Sequence, residues 1–244
     1  VSRSGARTAA LVGLCAGFMV VFAALGCWQV KRLTWKRDLI ARVEQRLAAA
    51  PAPAPGPAAW PGLSADKDAY RRVRLGGVFD HRRETLVQAV TELGPGFWVM
   101  TPLHADQGFT VLVNRGFVPI DRVAQSSRTA GLVQGETRVV GLLRLTEPRG
   151  GFLRRNQPEA GRWYSRDVAA IARTRGLADV APYFVDADAT ANRGGLPRGG
   201  LTVVRFANSH LIYALTWFAL ALFCGGAAVY VLTQGRGDRR KATA

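Results

Sequence analysis

Few residues in this sequence can do chemistry. Three histidines, three cysteines and two methionines are spread over 244 residues. His81 and His104 stand apart in the middle of the chain, in neither a nucleophile elbow nor a zinc-ligand spacing, and both read as exposed turn residues. Cys15, Cys27 and Cys224 all lie in apolar stretches, so the sequence offers no disulfide framework and no C-x-x-C. A copper carrier needs clustered Cys, Met or His, and the polar body offers only Met100 and two separated histidines. The carboxylates are scattered; Asp186 and Asp188, a close pair, lie in an expected turn. With no Gly-rich phosphate loop either, nothing points to an enzyme. His210 differs from the other two histidines. It opens a membrane-length apolar run within Arg205–Ala221, RFANSHLIYALTWFALA.

The elements that would position His210 follow from charge and periodicity. Thr8 to Val30 and Leu211 to Gln234 carry no charge. A bilayer core takes about 20 apolar residues in a helix, so both stretches qualify as spans. The first is longer than a signal-peptide core and continues in helical pattern without a small-residue cleavage site, which favours an uncleaved anchor. Two spans place residues 1–7 and the basic tail 235–244 on one side, expected to be cytoplasmic, and the body on the other. Trp28, Trp35, Leu39, Val43 and Leu47 form one stripe, so the first helix should run from residue 8 through 30 and on as an amphipathic helix to about 49. Pro51 ends it. Residues 51–62, PAPAPGPAAWPG, read as a Pro-rich extended linker.

Residues 63–207 read as an extracytoplasmic, β-rich domain. Strands are expected at Val73–Phe79, Glu84–Val90, Phe97–Leu103, Phe109–Val118, Thr137–Leu145 and Pro182–Asp186, with a bulge at Gly76-Gly77. A short helix over Ser165–Thr174 would be capped by Ser165 and closed by Gly176. The fold class is therefore an α+β membrane protein: N- and C-terminal transmembrane helices flanking a mainly antiparallel β-sheet or partial barrel, with one short helix. The second span would cover 208–234.

The net charge is +16. Only Arg3, Arg7, Arg236, Arg239, Arg240 and Lys241 of the basic residues lie in the tails, so the body carries most of it. A basic body beside a bilayer fits attraction to anionic headgroups or an acidic partner. A nucleic-acid role lacks the basic helix or aromatic RNA-binding signature it would need.

If the first span runs outward and the second inward, Trp28, Lys31 and Arg32 come level with Arg205, His210 and Tyr213. On the second helix, His210, Tyr213, Ala214, Trp217 and Ala221 share a face, with Asn208 or Ser209 as cap. Neutral imidazole ligates metal, alanines leave room for a flat ring, and Arg205, Arg32 and Lys31 can meet carboxylates at the surface. A haem with its propionates at the interface suits this arrangement. The alternative is an interfacial hydrogen-bonding His210 beside lipid-facing Trp217 and Tyr213. Gly13-x-x-x-Gly17 is a close-packing signal between helices.

Six segments together resemble one family. They are LGCWQVKRLTWKRDLI (Leu25–Ile40), GFWVMTPL (Gly96–Leu103), VLVNRGFVP (Val111–Pro119), GLLRLTEP (Gly141–Pro148), NQPEAGRWYSRD (Asn156–Asp167) and NSHLIYALTWFALA (Asn208–Ala221). In this order between two spans, they resemble the surfeit locus family of cytochrome c oxidase assembly factors. The resemblance implies a two-span protein of the bacterial inner membrane, with the central domain periplasmic, or of the mitochondrial inner membrane. It implies binding or delivery of haem a to oxidase subunit I, with haem a synthase and other assembly factors as further partners. His210 falls on the family's proposed haem ligand. Ser209 and Phe117 depart from the family's common residues, which keeps haem b or o open beside haem a. A scaffold that stabilises subunit I without haem is the alternative role.

Overall fold

The long helix predicted from the tryptophan stripe forms, and so does its apolar counterpart near the other end. In the computed structural model, which describes residues 3–148, 151, 153–202, 204, 206 and 208–241, the helices are α1 (Arg3–Ala48), α2 (Ala65–Asp68), α3 (Val168–Arg175) and α4 (His210–Lys241). Residues 5–48 and 210–234 are each long and apolar enough to cross a membrane. Leu14, Val20, Leu222 and Phe223 lie exposed along them, as lipid-facing residues would. The chain divides into two units, residues 1–42 with 205–244, and residues 43–204.

In the second unit, alternating apolar residues build seven strands: β1 (Ala52–Pro53), β2 (Arg72–Phe79), β3 (Thr85–Thr91), β4 (Gly94–Ala105), β5 (Thr110–Pro119), β6 (Glu136–Leu145) and β7 (Val180–Ala187). Their order is β1-β2-β6-β7-β5-β4-β3, and β2 also pairs with β4. That extra pairing closes β2, β6, β7, β5 and β4 into a ring, so the expected sheet or partial barrel is a closed five-stranded barrel. Within the ring every pairing is antiparallel except β5–β7, where Leu112 faces Phe184 in parallel register.

The Gly76-Gly77 pair makes the closure possible. A Cβ at Gly77 would run into the His104 carbonyl, and one at Gly76 into the Asp106 carboxylate. β2 keeps unbroken register with β6 from Arg72 to Val78, so the bulge expected there is instead a close strand crossing; the register shift occurs in β4, between Trp98 and Met100.

Period-2 alternation sorts the apolar residues into two clusters. Val111, Val113, Tyr183 and Val185 point into the barrel with Val73, Leu103 and Leu143. Leu112 and Phe184 point outward, where α3 (Val168–Arg175) covers them with Val168 and Ile171, next to Met100 and Trp163. Covered on both faces, β5 is buried along nearly its whole length. Each large buried side chain contributes about 1.5–3 kcal/mol.

Two further expectations need correction. Residues 51–62 are not a free spacer. β1 pairs in parallel with β2, Ala54 N donates to Arg74 O (3.0 Å), and a 3₁₀ helix at Pro57–Gly62 sets Trp60 edge-on to Phe109. The Pro55 carbonyl, free because the sequence is proline-rich, accepts from Trp60 Nε1 (3.0 Å) and Tyr183 Oη (2.8 Å). Ser165 does not cap α3: Asp167 does, accepting from Ala170 N at 3.0 Å, while Ser165 takes a hydrogen bond from Asn156. Along the predicted stripe of α1, Val43 is buried while Trp28 and Trp35 are exposed.

Candidate functional site

α1 and α4 pack antiparallel within the first unit, and small residues decide how closely. A Cβ on Gly26 would lie 2.5 Å from the Phe218 ring, and one on Gly225 would lie 3.1 Å from Met19 Sδ. Phe22 stacks on Trp217 at 5.6 Å between centroids. Gly13 and Gly17 face nothing within 4 Å, so the close approach is made at Gly26 and not at the Gly13/Gly17 pair.

This register brings Gln29 against His210. His210 Nδ1 lies 2.8 Å from Gln29 Oε1. The amide oxygen can only accept, so Nδ1 carries the hydrogen, and the lone pair resides on Nε2. A carbonyl oxygen that fixes one imidazole nitrogen and leaves the other free is the usual support of a metal-ligating histidine. Helix α4 begins at this residue: the Ser209 carbonyl accepts from Tyr213 N at 3.2 Å, the first turn of the ladder.

The other expected site residues divide into three groups. Trp28, Lys31, Arg32 and Tyr213 are exposed, and the Gln29–His210 contact puts their turns at one level. Arg32 stacks over Trp35 at 4.3 Å, and Lys36 lies over Phe206 at 5.2 Å. Trp217 is committed to Phe22, and Ala214 and Ala221 are buried, so the room expected beside the alanines is filled by α1. Arg205 lies outside the described residues.

As a donor set the site is spare. No group of three or more His, Cys, Asp or Glu that could hold a bare ion occurs among the described residues. One imidazole with a free Nε2 suits a metal that arrives already held by another chelator, as iron in a macrocycle is. Gln29 was missed from the sequence. Its signal was an amide at the end of an otherwise apolar span, where a polar side chain needs a partner.

The barrel holds two polar clusters that the sequence hid. Asp186, expected in a turn, is buried at the end of β7. It accepts from Asn114 Nδ2 (2.8 Å), Arg144 Nη1 (3.1 Å), Arg166 Nη1 (3.1 Å) and Thr202 Oγ1 (3.0 Å). Glu147 completes the balance, bonding Arg166 Nε (2.9 Å) and Arg144 Nη2 (3.2 Å). Burial works to lower the Arg166 pKa, but Asp186 and Glu147 outweigh it and hold it above its ordinary value. Two cations meet two anions, so this cluster is a structural tie among β5, β6, β7 and the segment at Thr202.

The second cluster contains His81, which is buried and not an exposed turn residue. Its Nε2 lies 2.8 Å from Val133 O and therefore donates, leaving Nδ1 to face Arg115 Nη1 at 3.5 Å. Burial foremost, then Arg115 and Arg128, push the His81 pKa below its ordinary value.

The sequence matches known proteins over most of its length. The SURF1 family profile matches residues 16–222, from α1 through the barrel into α4. Surfeit locus protein 1 of Homo sapiens is 39% identical over 215 residues, 81% of this chain and 69% of its own length. That of Mus musculus is 42% identical over 213 residues, 80% of this chain and 67% of its own. A SURF1-like protein of Monosiga brevicollis is 35% identical over 236 residues, 91% and 86% of the two chains. The resemblance drawn from the six segments is thereby borne out, and the chain belongs to the SURF1 family.

Proposed function

We propose that this chain is a membrane-anchored assembly factor for cytochrome c oxidase that holds haem a at His210 and hands it to oxidase subunit I. Family membership supports the assembly role. The Gln29–His210 hydrogen bond carries the haem reading, because it fixes the ring and leaves Nε2 as a ligand atom. His210 Nε2 would be the chain's ligand to the iron. The exposed rings of Trp28 and Tyr213 would flank the macrocycle, and the exposed Lys31 and Arg32 would meet its propionates. The cofactor brings the iron; the chain binds, orients and releases it without turnover. Haem b or o would use the same donor. α1 and α4 span the inner membrane, of a bacterium or a mitochondrion, with the barrel outside the cytoplasm or in the intermembrane space. Haem a synthase is the natural donor partner.

Purification from cells making haem a, followed by absorption spectroscopy, tests this. The parent should carry a Soret band, and His210→Ala should lose it while still reaching the membrane. Equal haem content in both proteins rules the site out.

A haem-free scaffold for subunit I is the second reading. The close packing of Ala214 and Ala221 favours it, because it removes the space expected for a ring. Co-purification of haem-free protein with subunit I, together with full oxidase assembly by His210→Ala, would select the scaffold.

A further inference from the structure

Arg115 sits on β5 with 2% of its surface exposed. Its partners are all neutral. Nη2 donates to Gly131 O and to Asn192 Oδ1 (3.0 Å), Nη1 faces the lone pair of His81 Nδ1, and Phe79 lies 4.9 Å from the guanidinium carbon. The acid whose charge acts on it is already taken. Glu84 is gripped by both arms of Arg128, Nη1 at 3.0 Å and Nη2 closer still, and both residues of that pair are buried. Arg115 makes no ion pair with a carboxylate among the described residues. One positive charge is therefore left over in this part of the barrel.

A buried cation without a counter-ion is costly, and folds seldom keep one without a use. The cost is visible in the group itself: burial pulls the Arg115 pKa down to about 10, which still leaves it charged at neutral pH. Beside it opens a cavity of about 470 Å³. Val113, Leu132 and Val139 line its apolar side, and Arg138 and Arg193 stand exposed in its wall. Asp188 is the one acid there, and its Oδ1 accepts from Thr190 N at 3.0 Å. The volume falls in the range of small-molecule sites, and a guanidinium is the usual partner for an oxyanion.

We infer that this cavity is a binding site for a small amphipathic anion, its carboxylate or phosphate anchored on Arg115 and its apolar body against Val113, Leu132 and Val139. Arg138 and Arg193 draw the anion in, and Asn192 and Gly131 hold the guanidinium in place for it. The site lies wholly within residues 43–204, separate from His210, so its test does not depend on haem. A phospholipid headgroup or a soluble organic acid would supply the same chemistry.

The full chain in phosphatidylcholine nanodiscs is titrated calorimetrically with 2-naphthoate, 2-naphthyl phosphate and the neutral 2-naphthamide, against empty discs. At least one anion should bind, and the amide should not. Arg138→Glu with Arg193→Glu, both exposed, should weaken the anion by about tenfold or more. Ala191→Trp, on the exposed cavity wall, should block it. Arg115→Met should abolish binding yet unfold no earlier than the parent without ligand, because it removes an uncompensated buried charge. Repeating the titration in discs with phosphatidylglycerol assigns the source: displacement of the probe marks a headgroup, undiminished binding marks a soluble acid, and both support the site. Equal binding of amide and anion, no anion binding, or anion binding unchanged in the Ala191 and double-charge variants overturns the inference.

Discussion

Gln29 and His210 meet at 2.8 Å, amide oxygen to Nδ1, across the α1–α4 pair. The contact does two things. It satisfies a polar side chain in an apolar segment, and it presets the tautomer that leaves Nε2 free to ligate. Losing such a support costs about 10–100-fold in metal affinity. Gln29→Leu should therefore weaken haem binding by that order, read by Soret titration. Gln29→Glu should keep it, since a carboxylate accepts the same hydrogen. Equal affinity in the parent and Gln29→Leu would show that the ring is held some other way.

The helix pair makes its own prediction. A methyl at Gly26 meets the Phe218 ring, whereas methyls at Gly13 and Gly17 meet nothing. Gly26→Val should lower the thermal unfolding midpoint in detergent, and Gly13→Ala with Gly17→Ala should leave it unchanged. Phe218→Ala should restore much of the loss in the Gly26 variant, as expected for two residues in direct contact. Additive losses would mean that these residues do not meet.

Asp186 offers a stability test in the barrel. It is buried, accepts from four side chains, and balances Arg144 and Arg166 with Glu147. Removing one partner of a buried ionic cluster costs about 3–5 kcal/mol, because the charges left behind cannot rehydrate. Asp186→Ala should show a loss of that size in denaturant unfolding, while Asp188→Ala, two residues on and more exposed, should be near neutral. Similar losses at both positions would contradict the network.

What the sequence made legible tracks how local the physics is. Apolar runs and alternation depend on neighbours in the chain, so α1, α4 and the strands were readable, and so was the register that sets His210 near residues 28–32. Barrel closure was not, because it rests on two glycines meeting a strand far along the chain. The Pro-rich segment misled for a related reason. Prolines lacking N–H groups read as a spacer, but their carbonyls still accept, and Pro55 uses this for Trp60 and Tyr183. His81 and Asp186 look like turn residues until tertiary pairing buries them. Gln29 needed its partner in view, since an amide at a span's end is ambiguous alone.

His81 gives the pH dependence. Its pKa is lowered from the ordinary 6.5, by burial first and then by Arg115 and Arg128, with the Val133 carbonyl and Glu84 opposing. The folded protein thus resists protonating a group that the unfolded chain protonates freely below about pH 6.5. The unfolded state binds more protons in that window, so stability rises with pH there. The contribution is fully present above 6.5, is lost as pH falls toward the lower folded value, and levels off beneath it. Protonation also places a donor at Nδ1 facing Arg115 Nη1, two cations 3.5 Å apart. Unfolding of the full chain in detergent, followed from pH 7.5 to 5, should show a falling midpoint. His81→Gln, which keeps a donor for Val133 O but cannot titrate, should flatten the fall. A parent and variant with parallel pH profiles would place the acid sensitivity elsewhere.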